Sequence, residues 1–158
     1  MKIVNLVFLI ACLSATTIAL RIKKTDRTNE LPENGNYRIK HDETNYCLDA
    51  GNQSELNWAV CNDSWTQLFT VQKKLGYYHI LLADDTRYLA PTEKKKGSVW
   101  TLERTQEKVH ILKNGDLLKI STEDDKYCFG FNKKNNQVKV AGCSSKWTGQ
   151  NLYMVEAD

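Results

Sequence analysis

Cys47, Cys61, Cys128 and Cys143 carry the most versatile side chains in this 158-residue chain: thiols that can pair as disulfides or ligate a metal. They lie in two similarly built segments. Tyr46-Cys47-Leu48-Asp49-Ala50 is followed by Cys61 and then by Trp65-Thr66-Gln67-Leu68-Phe69. Tyr127-Cys128-Phe129-Gly130 is followed by Cys143 and then by Trp147-Thr148-Gly149-Gln150-Asn151-Leu152. The cysteines stand 14 residues apart in the first copy and 15 in the second. A zinc site is the alternative use of such thiols, but no Cys-x-x-Cys is present, and His41, His79 and His110 are scattered. Four cysteines allow three pairings; equivalent residues in a repeat should do equivalent things, which selects Cys47–Cys61 and Cys128–Cys143. Each bond would close a loop of roughly 15 residues, worth about 3 kcal/mol in the chain-entropy account. Catalytic patterns are missing: no Gly-x-Ser-x-Gly, paired-carboxylate motif, metal cluster or phosphate loop is found. Asp84-Asp85 and Asp124-Asp125 fall in predicted turns. The expectation is therefore a protein that is not an enzyme and uses neither metal nor cofactor.

The N-terminal residues set the compartment in which those thiols would live. Met1-Lys2 precedes an almost unbroken apolar run, Ile3 to Leu13, and Thr17-Ile18-Ala19 offers a small-residue cleavage site. Residues 1–19 thus read as a secretory signal peptide, too short in its apolar part to span a membrane. Leu9-Ile10-Ala11-Cys12 offers an alternative, a lipobox that would anchor the chain through Cys12, although apolar character continues to Leu20. Removal of the leader takes away Cys12 and leaves an even set of four cysteines in an oxidising compartment, the setting for disulfides. It also lowers the formal charge from +3 to +2 by loss of Lys2, too little to drive nucleic-acid binding. No second apolar segment suggests a membrane span.

Residues 20–35 are polar, with Pro32 and Gly35, and read as a flexible N-terminal arm. From residue 36 to residue 158 the chain becomes short β-prone runs divided by polar turns. Tyr37-Arg38-Ile39-Lys40, Phe69-Thr70-Val71-Gln72 and Val138-Lys139-Val140 alternate, and Ala83-Asp84-Asp85 and Asn114-Gly115-Asp116 mark turns. Nothing there has a long helical period. The repeat extends beyond the cysteines, for Ile39, Ile80 and Ile120 each lead through an acidic turn to Tyr46, Tyr88 and Tyr127. The next positions are Cys47, Leu89 and Cys128, and Leu102 is read as standing where the second cysteine would be. Three units of about 40 residues, four strands each, predict an all-β barrel or sandwich.

Cys47-Leu48-Asp49, Cys61 and Gln67-x-Phe69 resemble the Cys-x-Asp, Cys and Gln-x-Trp elements of ricin B-type lectin domains. The resemblance spans residues 36–158 and is strongest in the first unit. It implies a β-trefoil of three lobes that binds galactose-type or related sugars. Such a site needs a carboxylate for sugar hydroxyls, an aromatic face for the ring and a side-chain amide. On that basis Asp49 is the carboxylate and Gln67 the motif glutamine, with Thr66 where an asparagine usually stands. The stacking position, two residues before Cys61, holds Ala59, so neighbouring Trp58 is the candidate platform and Asn57 a candidate amide. Each has a structural reading beside it: Asp49 as a turn cap, Gln67 as a backbone tie, Trp58 as core. Trp65 and Trp147 occupy matched positions and are assigned to structure. The third lobe has Gly130 in the carboxylate position and the second has Pro91, so at most the first lobe keeps a family-like site.

Asn52-Gln53-Ser54 and Asn62-Asp63-Ser64 are glycosylation sequons flanking that site. The functional expectation is a secreted lectin that recognises extracellular glycans through its first lobe. The alternative is a trefoil without sugar binding, acting as a protein-interaction or coat component; a protease inhibitor is a more distant reading.

Overall fold

A computed structural model of the protein describes residues 30–51 and 55–157. The expected signal peptide, Cys12, most of the arm and the Asn52 sequon lie outside the described residues. Twelve strands follow one another: β1 (Gly35–His41), β2 (Tyr46–Asp49), β3 (Asn57–Val60), β4 (Phe69–Lys73), β5 (Tyr78–Leu82), β6 (Tyr88–Pro91), β7 (Trp100–Glu103), β8 (Val109–Asn114), β9 (Leu117–Thr122), β10 (Tyr127–Asn132), β11 (Gln137–Gly142) and β12 (Leu152–Glu156). Short 3₁₀ turns at Trp65–Gln67 and Thr148–Gln150 precede β4 and β12.

Antiparallel pairing runs β1–β4–β5–β8–β9–β12 and returns to β1, so six strands close into a barrel with no free edge. The other six form three hairpins, β2–β3, β6–β7 and β10–β11. Single pairings join the hairpins to one another, Gln137 with Asn57, Glu55 with Thr101 and Val99 with Lys139. A six-stranded barrel capped by three hairpins is the β-trefoil that the resemblance implies, built from the three units of the repeat. Ile39, Ile80 and Ile120, one on the first strand of each lobe, are all 0% exposed. Trp58 packs edge-on and Trp100 tilted against Phe129 within the cap. The acidic turns take their form from backbone geometry: Asp84 and Asp125 both hold positive φ, a conformation that aspartate tolerates and β-branched residues do not.

The disulfides are Cys47–Cys61 and Cys128–Cys143, the pairing that the repeat selects. Strand register corrects one equivalence. Leu89 faces Leu102 as Cys47 faces Ala59 and Cys128 faces Ala141, so Leu102 corresponds to Ala59 and not to Cys61. Both leucines are buried and fill the second hairpin by direct cross-strand contact. Strand β1 begins at Gly35, and the residues just before it dock on β4: Lys73 N donates to Asn34 Oδ1 at 2.6 Å, and Lys73 pairs with Glu33. Another repeated tie precedes each barrel isoleucine. Arg38 Nε donates to the Asn62 carbonyl, His79 Nδ1 to that of Glu107 and Lys119 Nζ to that of Ser144. Burial pushes the Lys119 ammonium below the ordinary lysine range.

His41 is fully buried, with ring centroids 4.8 Å from Phe131 and 5.8 Å from Trp58. Its Nδ1 meets Thr44 Oγ1 at 3.3 Å, while Nε2 finds no partner. Burial lowers its pKa, outweighing the opposing pull of Glu43. A histidine whose folded pKa lies below its unfolded value costs no stability above about pH 6.5 and progressively more beneath it. Melting temperature should therefore fall on acidification from neutral pH to pH 5, and His41→Phe should flatten that dependence. Thermal melts across this interval check it, and an unchanged slope in the variant would refute the assignment.

Candidate functional site

Asp49 ends β2 and faces Asn57 directly across the first hairpin. Its Oδ1 accepts the Gly51 N–H at 2.6 Å and its Oδ2 accepts Gln67 Nε2 at 2.8 Å. Gln67 is 0% exposed and fully used. Its Oε1 accepts the Asn62 N–H at 2.9 Å, and its Nε2 also donates to the Val60 carbonyl at 3.0 Å. Gln67 therefore orients Asp49 and has no amide hydrogen left to offer a ligand. Each Asp49 oxygen retains a lone pair, because a carboxylate accepts about four hydrogen bonds. Asn57 is half-buried, and its Nδ2 makes only a long 3.5 Å contact with the Glu55 carbonyl.

The 3₁₀ turn is locked against the end of β2. Ala50 N donates to the Thr66 carbonyl at 2.9 Å, and Ser64 Oγ accepts the Thr66 N–H at the turn's start. Asn62 Oδ1 accepts the Ser64 N–H, so the exposed Asn62 sequon is folded into an Asx turn. Trp65, the first residue of this turn, is at the surface and 60% exposed. Trp58 does not serve as a platform: it is 2% exposed, and its ring is enclosed by His41, Phe129 and Phe131. The aromatic available at this site is Trp65, which the matched position of Trp147 argued against.

Comparison of the lobes explains the difference between those two tryptophans. In the third lobe a Cβ on Gly130 would stand 2.7 Å from the Trp147 ring, and a Cβ on Gly149 equally close. The Trp147 indole thus lies over Gly130, in the carboxylate's place. Gln150 repeats the Gln67 tie, accepting the Ser144 N–H at 2.9 Å and donating to the Gly142 carbonyl at 2.8 Å. In the second lobe Pro91 faces Trp100, which is 0% exposed. Among the described residues, only the first lobe has a carboxylate at this strand position, Asp49 against Pro91 and Gly130, together with an exposed tryptophan in the turn that follows. Among the described residues, no group of three His, Cys, Asp or Glu side chains is placed to hold a metal ion. Among them, too, no helix is long and apolar enough to cross a membrane.

No protein-family model matches the sequence, and no curated protein matches it either. Solved structures do. A ricin B-like lectin of Macrolepiota procera, in complex with lactose, superposes with a TM-score of 0.74 at 12% identity, over 81% of this chain and 99% of the lectin. The Rhizoctonia solani agglutinin gives 0.70 at 14% identity, over 81% and 98%. A Polyporus squamosus lectin, bound to the epitope Neu5Acα2-6Galβ1-4GlcNAc, gives 0.70 at 17% identity, over 80% of this chain and 50% of that one. At so little shared sequence the likeness is one of fold, and this chain has the ricin B-like lectin fold in a strongly diverged form.

Proposed function

We propose that this protein is a secreted carbohydrate-binding protein that recognises extracellular glycans, of galactose type, through its first lobe. The observation that carries this reading is the Asp49 carboxylate oriented by Gln67, with the exposed Trp65 two residues before that glutamine, in the one lobe where neither indole nor proline replaces the acid. Sugar hydroxyls would donate to the free lone pairs of Asp49, the apolar face of the ring would rest on Trp65, and Asn57 would supply an amide from the facing strand. Support comes from the fold, since similar structures were solved with lactose and with a sialylated galactoside. One shallow site gives modest affinity, so dense glycan arrays or multivalent display would be the working context.

Titration of tryptophan fluorescence with galactose, N-acetylgalactosamine and lactose, followed by a glycan array, tests the proposal. Saturable binding should be lost in Asp49→Ala and weakened about tenfold in Trp65→Ala, with melting curves confirming that both variants fold. Glycosylation of Asn62 would crowd the site, so an unglycosylated sample should bind more tightly. A second reading, a protein-interaction or coat component, draws on one observation. Val60 and Trp65 expose apolar surface, and Asp49 is already bonded through both oxygens. Failure of a multivalent, unglycosylated sample to bind any glycan would favour that reading.

A further inference from the structure

The turn between β1 and β2 meets the turn between β10 and β11 at the junction of the first and third lobes. They enclose an open pocket of about 430 Å³ lined by Thr44, Asn45, Tyr46, Phe131, Lys133 and Asn136. From this pocket we infer a second saccharide site, independent of Asp49, for one neutral hexose ring.

Four features carry the inference. Tyr46 is half-buried, and its ring is held by a T-shaped contact with Phe131 at 5.9 Å, so a fixed aromatic surface lies in the pocket. Such a surface suits the apolar face of a pyranose. Around it stand two side-chain amides and a hydroxyl, which can match sugar hydroxyls as donor or acceptor. The walls are set in advance. Thr44 Oγ1 accepts the Tyr46 N–H, and the Asn136 carbonyl accepts the Trp58 N–H at 2.7 Å. In the opposite turn, Asn132 and Asn135 side chains accept the N–H groups of Lys134 and Gln137. Finally, Lys133 is paired with Glu43 at 3.5 Å, so the rim carries no unbalanced charge. That balance favours a neutral ring over a sialic or uronic acid. An apolar peptide side chain would leave the amides unmatched, which argues for a sugar over a protein segment. Tyr46 and Asp49 sit at opposite ends of β2, roughly 10 Å apart at strand rise, so the two sites are separable.

The test is an NMR titration of the full mature chain with methyl α- and β-glycosides of neutral hexoses, N-acetylneuraminic acid and a neutral tripeptide. Neutral hexosides should produce saturable shifts at Tyr46, Phe131 and Asn136 in the millimolar range, and these should persist in Asp49→Asn. Tyr46→Leu, which keeps apolar packing against Phe131, should weaken them about tenfold. Asn45→Ala with Lys133→Ala, both at exposed positions, should also weaken them should Tyr46→Leu not fold. Shifts at Trp65 and Gln67 report the first-lobe site separately, so each site can fail alone. The inference is overturned if no sugar shifts these residues, if Asp49→Asn abolishes the shifts, or if the acidic sugar or the tripeptide binds there as well as the hexosides.

Discussion

Replacing Gln67 or Gln150 by alanine is expected to destabilise the protein by about 2–4 kcal/mol, a large effect for one residue. Both side chains are 0% exposed. Each uses its oxygen to accept the N–H after the second cysteine and its nitrogen to donate to the carbonyl before that cysteine. Truncation would leave those backbone groups short of partners, at about 1–3 kcal/mol each, and would open a void as well. Denaturant unfolding of both variants measures the loss, and a change below about 0.5 kcal/mol would show that water replaces the amide freely. Glutamate in the same positions separates the lobes. Gln67→Glu would place a second carboxylate against Asp49 Oδ2, whereas the third lobe has no acid there. Gln67→Glu should therefore be the more damaging near neutral pH, with the gap closing as acid protonates the pair.

The glutamines also show which kinds of information a sequence exposes. Gln67 and Gln150 perform local, repeated work, so their spacing from the cysteines announces them. The same holds for Ile39, Ile80 and Ile120 and for the acidic turns that follow, whose backbone form depends only on neighbours. Trp58 was ambiguous because its direction is decided by Phe129, Phe131 and His41, residues far away along the chain. Trp65 was hidden for a subtler reason. Its match with Trp147 is real, but the Trp147 indole lies over Gly130, whereas the corresponding strand position in the first lobe holds Asp49 and Trp65 is 60% exposed. Leu102 was misaligned because counting residues ignores which one faces which across a hairpin. The Lys119 tie to the Ser144 carbonyl gave no signal, since Arg38 and His79 do the same job with different chemistry.

Removing either disulfide as a cysteine pair should cost about 3 kcal/mol, but the two losses should differ in what they do to binding. Cys47–Cys61 and Cys128–Cys143 close loops of 14 and 15 residues, so the entropy they remove from the unfolded chain is nearly equal. Cys61, however, lies between Val60 and Asn62, the two residues that Gln67 grips while holding Asp49. Loss of that bond frees the segment that positions the carboxylate. Cys143 stands in the corresponding place of a lobe with no carboxylate, where Trp147 covers Gly130. Cys47→Ala with Cys61→Ala should therefore lose both stability and glycan affinity. Cys128→Ala with Cys143→Ala should lose the same stability yet bind within about twofold of the parent, well under the tenfold that 1.4 kcal/mol would bring. Paired replacement is needed because a single change leaves a lone thiol free to exchange. The second hairpin already shows that a lobe can close without a cystine, through Leu89 against Leu102. Equal loss of affinity in both variants would mean that the first-lobe loop is held by the fold as a whole and not by its own disulfide.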